Sequence, residues 1–434
     1  MLTSIDLFSG PGGLCTGFKA AGIKPLIAVE WSYWTAQTYA ATHNADILPL
    51  YDYLSEPESF SDLFRPSSNT LLILGDINQV RASLILEILN KRFNCNSVDV
   101  VSGGAPCESF SMAGQRKEDD ERNQLFQNIP RIAKAVNAKI ILFENVKGLF
   151  SKKYNNVTGE MYNYVCDYFE KDTGEGITYH LVTREKKCVL LKASDYGVPQ
   201  NRERVFLVGI NNAYPDIVFN YPEKTNGPDT DCPYVSVSDA ILDLPVVNSG
   251  EEGKKYTYKR QESEPPQRKR YLDWVRGKIY SPEKKNLNII DSHLAPGHLP
   301  RIIERFKLIK IGENQKTAYE RLFEDDPNCS ELQYFTSTLY GARNRRLNPN
   351  EPSFTVTSHC LDEMVHPFLD RAMTPREIAR LQSFPDWYKF KGPYVRFHGD
   401  KEQDRYEQIG DAIPPLLAYA LAKAIVKALS LEEK

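Results

Sequence analysis

The chain has 434 residues, 41% apolar and 26% charged, with 54 Lys plus Arg against 57 Asp plus Glu for a net charge of -3. That length predicts two domains, or one domain with a large insertion. The even charge balance excludes a globally basic polyanion binder but leaves room for a local basic face. No run of about 18 apolar residues stands out as a membrane span, and Met1–Phe8 carries no leader pattern. The eight cysteines include no CxxC pair, so neither a disulfide framework nor a clustered zinc site is expected.

In chain order, short apolar or β-branched runs predict strands at Ser4–Phe8, Leu26–Glu30, Leu71–Leu74, Val98–Ser102, Ile140–Glu144, Cys188–Lys192 and Val205–Ile210. Helical periodicity falls between several of them, at Leu14–Ala21, Trp34–His43, Ala82–Phe93 and Leu125–Val136. This alternation predicts a doubly wound, mostly parallel α/β sheet of Rossmann-like type, which binds ligands at the carboxyl ends of its strands. After Ile210 the rhythm breaks into Pro- and Tyr-rich sequence of mixed charge, as expected of a second, smaller irregular domain. Basic clusters lie at Lys254–Arg270 and at Arg343, Arg345 and Arg346. Helical patterning returns at Thr374–Ser383 and Leu416–Leu429. His293 and His298 lack a helical metal motif and read as non-ligands.

The turn after the first strand, Ser9-Gly10-Pro11-Gly12-Gly13, leads into a helix and permits close backbone approach to a ligand. Cys15 breaks a dinucleotide GxGxxG, which makes a nicotinamide enzyme the weaker reading. Glu30, at the end of the second strand, suits two ribose hydroxyls. Asp76 can accept from an adenine amino group, with Ile77 against the ring. Together they describe an adenosine pocket without a pyrophosphate cradle, which fits S-adenosyl-L-methionine; a plain tight turn with a solvated strand end is the alternative. Cys107, after Gly103 and Gly104, sits at the same edge, as a nucleophilic thiol or as a small buried hydrophobe. Glu144 follows four apolar residues, and desolvation there makes it a plausible proton donor.

The ordered motifs Asp6–Gly13, Glu30-Trp31, Asp76-Ile77, Pro106–Ser111, Arg122–Phe126, Glu144–Val146, Gln200–Arg204, Arg371–Glu377 and Gln408–Pro415 give the chain a family resemblance. It resembles the C5-cytosine-specific DNA methyltransferases of bacterial restriction–modification systems. The resemblance implies Cys107, Glu144, Arg202 and Arg204 as catalytic residues, with Arg204 toward the cytosine O2 and Arg202 toward backbone or neighbouring side chains. It implies Phe8, Gly10, Gly12, Gly13, Glu30, Trp31, Asp76, Ile77, Leu125 and Asp411 as contacts to S-adenosyl-L-methionine. Asp411 stands where Asn is usual, and Glu108 where Gln is frequent. A mobile loop over the flipped base would hold Ser111, Gln115 and Arg116, while Lys254, Lys255, Arg343 and Arg345 are candidate DNA-backbone contacts.

The resemblance also implies a catalytic domain at residues 1–210 plus 405–434 and a target-recognition domain at 211–404. The expected partners are double-stranded DNA and a separately acting restriction endonuclease, with no membrane. A monomer is expected, since an asymmetric domain pair can hold a duplex alone, in the cytoplasm at the nucleoid. An RNA methyltransferase on the same scaffold is a second reading, although the Cys-Phe-Thr tripeptide of the tRNA-modifying branch is missing. A third is an inactive DNA-binding homologue, which the intact Cys107, Glu144, Arg202 and Arg204 oppose.

Overall fold

The computed structural model describes residues 1–105, 121–172, 176–256, 264–282, 288–396 and 402–430. Cys107, Ser111, Gln115 and Arg116 therefore lie outside the described residues. The chain divides into two compact units, one of Met1–Ala193, Glu203–Glu223 and Pro415–Lys434, the other of Ser194–Arg202 and Lys224–Pro414. Relative to the sequence-based bounds, 194–202 and 405–414 go to the second unit and 211–223 stays with the first.

The first unit is built on a nine-stranded sheet. Its strands are β1 (Leu2–Leu7), β2 (Ile23–Glu30), β3 (Asp46–Pro49), β4 (Leu71–Leu74), β5 (Val100–Gly104), β6 (Ile140–Val146), β7 (Tyr179–Leu181), β8 (Leu190–Lys192) and β9 (Glu203–Asn211). They lie in the order β8-β9-β6-β5-β1-β2-β4-β3, with β7 also on β9. The six strands β1–β6 pair in parallel; β9 runs antiparallel to β6, and β7 and β8 each pair antiparallel with β9. The apolar runs are buried, as both-faced packing of a parallel sheet requires. Two short strands escape sequence detection: Asp46–Pro49 is an edge strand containing Pro, and Tyr179–Leu181 has only three residues. Cys188, expected in a strand, instead sits in a single helical turn, Lys186–Val189.

Helices Gly13–Ala20, Tyr33–His43, Ala82–Phe93 and Asn128–Ala135 complete the crossovers. Leu125 lies in the preceding 3-10 turn, Glu121–Gln127. Pro415–Ser430 returns to the first unit and packs on Gly13–Ala20 so closely that a Cβ on Gly17 would lie 2.5 Å from the Ala418 Cβ. Contrary to the sequence expectation, Arg405–Ser430 does contain an 18-residue window apolar enough to cross a membrane. Its alanines and leucines serve packing instead, since 61% of the window is buried inside the fold.

The second unit has little sheet, and buried arginines supply the donors that strand ladders supply elsewhere. Arg376 donates to the carbonyls of Asp291, Pro385 and Tyr388. Arg371 binds the Val247 and Ala372 carbonyls and forks onto Glu377 at 2.7 and 2.8 Å. Burial alone would raise the Glu377 carboxyl, and the Arg371 hydrogen bonds and charge overcome that to hold it at about 2. Arg380 bridges Asp243 and Asp386. The expected helix at Thr374–Ser383 is Pro375–Leu381, capped by Thr374 in a reciprocal bond with Glu377. Both ring nitrogens of His293 are engaged, with Thr374 and the Pro245 carbonyl.

Candidate active site

At the carboxyl end of β1 the backbone turns through positive φ at Phe8, Gly10 and Gly12. A Cβ on Gly10 would meet nothing within 4 Å, so the loop faces open space. Glu30, at the end of β2, is buried and held from both sides: the Gly10 N–H donates to Oε2 at 2.8 Å and the Ser32 N–H to Oε1 at 2.9 Å. Trp31 beside it is 62% exposed. Asp76, after β4, is exposed and accepts the Asn78 N–H on Oδ1, while Ile77 is buried.

The structure adds Asp6, which the sequence reading left out. Its Oδ1 accepts from Ser102 Oγ at 3.1 Å, while buried Oδ2 has no partner among the described residues. Burial pushes its carboxyl up to about 7, opposed by the Ser102 bond and assisted by the Glu30 charge. The ends of β1, β2 and β4 thus carry three carboxyl groups. The Glu30 and Asp76 charges there disfavour phosphate and favour a cationic ligand.

Two further residues hold these loops and were also missed. Asn128 donates to Leu125 O and to Asn78 Oδ1, tying the Leu125 segment to the loop after β4. Arg131 donates to the carbonyls of Ile77 and Val80. Their signal in the sequence is faint, because a polar residue in the first turns of a helix usually faces solvent.

At the ends of β5 and β6 stands the second cluster. Glu144 is part-buried, as anticipated, and pairs with Arg204 Nε at 3.1 Å. The partner arises from the antiparallel register, which sets Arg204 opposite Val146 and Phe206 opposite Glu144. A Cβ on Gly104 would lie 2.8 Å from Glu144 Oε2, so a larger residue there would displace the Glu144 carboxylate. Asn145, buried, directs Nδ2 to the Ala105 carbonyl, just before the segment that carries Cys107.

Other candidates fall elsewhere. Arg202 is buried in the second unit and donates to the carbonyls of Val356 and Gly410, so its guanidinium braces backbone, as the resemblance implies for it. Asp411 ends the helix Arg405–Asp411 of the second unit, where it accepts from Gln403 at 2.8 Å. Lys254 pairs with Glu252 at 2.8 Å on the surface, and Lys255 is exposed. Arg343 is exposed and Arg345 half-buried.

The sheet and its strand ends define a doubly wound α/β protein with carboxyl groups at the ends of β1, β2 and β4 and a Glu–Arg pair at the end of β6. A family model described as C-5 cytosine-specific DNA methylase matches residues 2–64 and 58–427, and the chain belongs to that family. It is 32% identical to the type II methyltransferase M.DdeI of Desulfomicrobium norvegicum over 97% of this chain and 88% of the relative. It is 30% identical to M.AgeI of Thalassovita gelatinovora over 99% and 100% of the two chains. Among solved structures it is similar to a protein described as a DNA modification methyltransferase encoded within an Escherichia coli prophage. That likeness has a TM-score of 0.67 and 24% identity, and covers 99% of this chain and all of the other.

Proposed function

We propose that this DNA cytosine-C5 methyltransferase modifies one short sequence in double-stranded DNA, with S-adenosyl-L-methionine as donor, and protects host DNA beside a separately acting restriction endonuclease. The type II naming of its relatives supports the biological setting. The observation that carries the donor assignment is the set of carboxyl groups around an open glycine turn, with Glu30 held rigidly by two N–H groups. When bound, S-adenosyl-L-methionine supplies an electrophilic methyl group. Glu30 would hold the ribose, Asp76 and Ile77 the adenine, Phe8, Trp31 and Leu125 the ring faces, and Gly10, Gly12 and Gly13 the close approach.

Cytosine C5 is a poor nucleophile until the ring is activated. The Cys107 thiolate adds to C6, breaking aromaticity and loading electron density onto C5. Glu144 hydrogen-bonds or protonates N3, which prevents charge from building on the ring. Arg204, fixed beside Glu144, faces O2. After C5 takes the methyl group, loss of its proton and departure of the thiolate restore the base. A stacked cytosine hides C5 and C6, so it is flipped out at a cost of a few kcal/mol, with Ser111, Gln115 and Arg116 in the loop that covers it. Arg202 acts as a positioning residue. The enzyme works as a monomer on nucleoid DNA in the cytoplasm.

The test is base-resolution C5-methylcytosine sequencing of DNA from cells expressing the wild-type chain or Cys107→Ser. Methylation confined to one short sequence, and absent from the variant, is expected. Retained methylation in the variant would remove Cys107 from the mechanism. If the wild-type chain adds none to DNA, transfer of labelled methyl to tRNA becomes the next measurement.

A further inference from the structure

The run Arg343-Asn344-Arg345-Arg346 looks like one basic patch in the sequence, but the structure separates its arginines into three environments. Arg346 is buried and donates to the carbonyls of Ile309, Phe306, His366 and Leu369 and to Asp370 Oδ1 at 2.6–3.1 Å. Its donors are occupied by the fold. Arg345 is half-buried with its guanidinium 3.2 Å over the Phe354 ring, and its Nε has no hydrogen-bond partner among the described residues. Arg343 is exposed at the end of the turn that its own N–H closes onto the Tyr340 carbonyl. Its guanidinium stands 5.2 Å over the Tyr340 ring, itself 53% exposed, and makes no ion pair among the described residues.

Arg343 lines a recess of about 440 Å³ within the second unit, together with the exposed side chains of Thr336 and Thr338. Arg305 forms part of its wall, bonded to the Tyr334 carbonyl and Asn344 Oδ1. The one carboxylate in the lining, Asp362, is exposed, so the recess is net cationic. The complement is a surface rich in acceptors. A guanidinium fork fits a phosphate as well as a base edge, so the choice between them rests on what surrounds it. Arg343 presents a planar fork propped on an aromatic ring, with threonine hydroxyls and methyls alongside, which are the groups that read base edges in the major groove.

We infer that Arg343 is a specificity-determining residue, donating both arms of its fork to the O6 and N7 of a guanine in the target sequence. This rests on the methyltransferase reading above. Arg345, two residues on, half-buried and outside the lining of this recess, serves as the contrast: a contact to phosphate that carries no sequence information.

The test uses the full-length methyltransferase on duplexes randomised around cytosine, read by base-resolution methylation sequencing. Arg343→Ala should lower the preference for guanine at one position by about ten- to a hundredfold and leave the rest of the consensus intact. Arg343→Lys should recover only part of the same preference, because it keeps the charge but not the planar fork. Arg345→Ala should weaken methylation evenly and reduce the salt slope of DNA binding by about one. A uniform fall in Arg343→Ala that lysine restores, or an unchanged consensus, would overturn the inference while leaving the enzyme's activity in place. A wild-type chain that methylates no duplex would overturn the reading beneath it, and the inference with it.

Discussion

Asp6 ends β1 with one oxygen on Ser102 and the other without a partner among the described residues. Its carboxyl is raised from 3.8 to about 7, first by burial. Folding therefore takes up a proton at pH values between those two, and stability falls as pH rises through that window. Asp6→Asn should be more stable than the wild type at pH 8, by up to about 4 kcal/mol, and the gap should close toward pH 4. Urea melts at the two pH values measure it, and a gap that does not change with pH would show that Asp6 folds already ionised. Glu30, Asp76 and Glu144 are legible in the sequence because each follows an apolar run that can only be a buried strand. Arg204 as the partner of Glu144 is less so, since the pairing depends on an antiparallel register 60 positions apart in the chain (204 minus 144). The basic cluster Arg343, Arg345 and Arg346 misleads at Arg346, because no sequence pattern distinguishes an arginine that braces carbonyls from one that faces solvent.

The parallel strands are legible because both faces are buried, and β3 and β7 are not, because short edge strands carry no such run. The second unit resists reading more deeply. Its order comes from side chains that reach carbonyls far away in sequence, as Arg371 reaches Val247 and Arg376 reaches Asp291, so periodicity has nothing to report. Helix contacts can also hinge on one missing side chain. At Gly17 the nearest atoms of the closing helix would sit 2.5–2.6 Å from an added Cβ, and two of the three belong to backbone. Gly17→Ala should destabilise the protein by about 1–3 kcal/mol through forced separation of the two helices. Thermal melts check this, and an unchanged midpoint would mean that the pair has slack.

For the molecule as a whole, the order of the chain differs from the order of its cores. The first unit is interrupted and then completed by Pro415–Ser430. That helix buries Leu417, Leu421, Ile425 and Leu429. At roughly 1.5–3 kcal/mol each, these four are comparable with the entire stability of a typical domain, about 5–15 kcal/mol. A chain ended after Pro414 should therefore show no cooperative unfolding transition and should bind an apolar dye. A normal melt for the shortened chain would contradict this.

The returning helix also sets a clock on synthesis. The strands bearing Glu30, Asp76 and Glu144 leave the ribosome early, yet the face of the first helix around Gly17 stays uncovered until the stretch after Pro414 has been made. A nascent or prematurely terminated chain carries the residues for methyl transfer without the core that holds them. Methyl transfer thus waits until Pro415–Ser430 has been made and has covered that face.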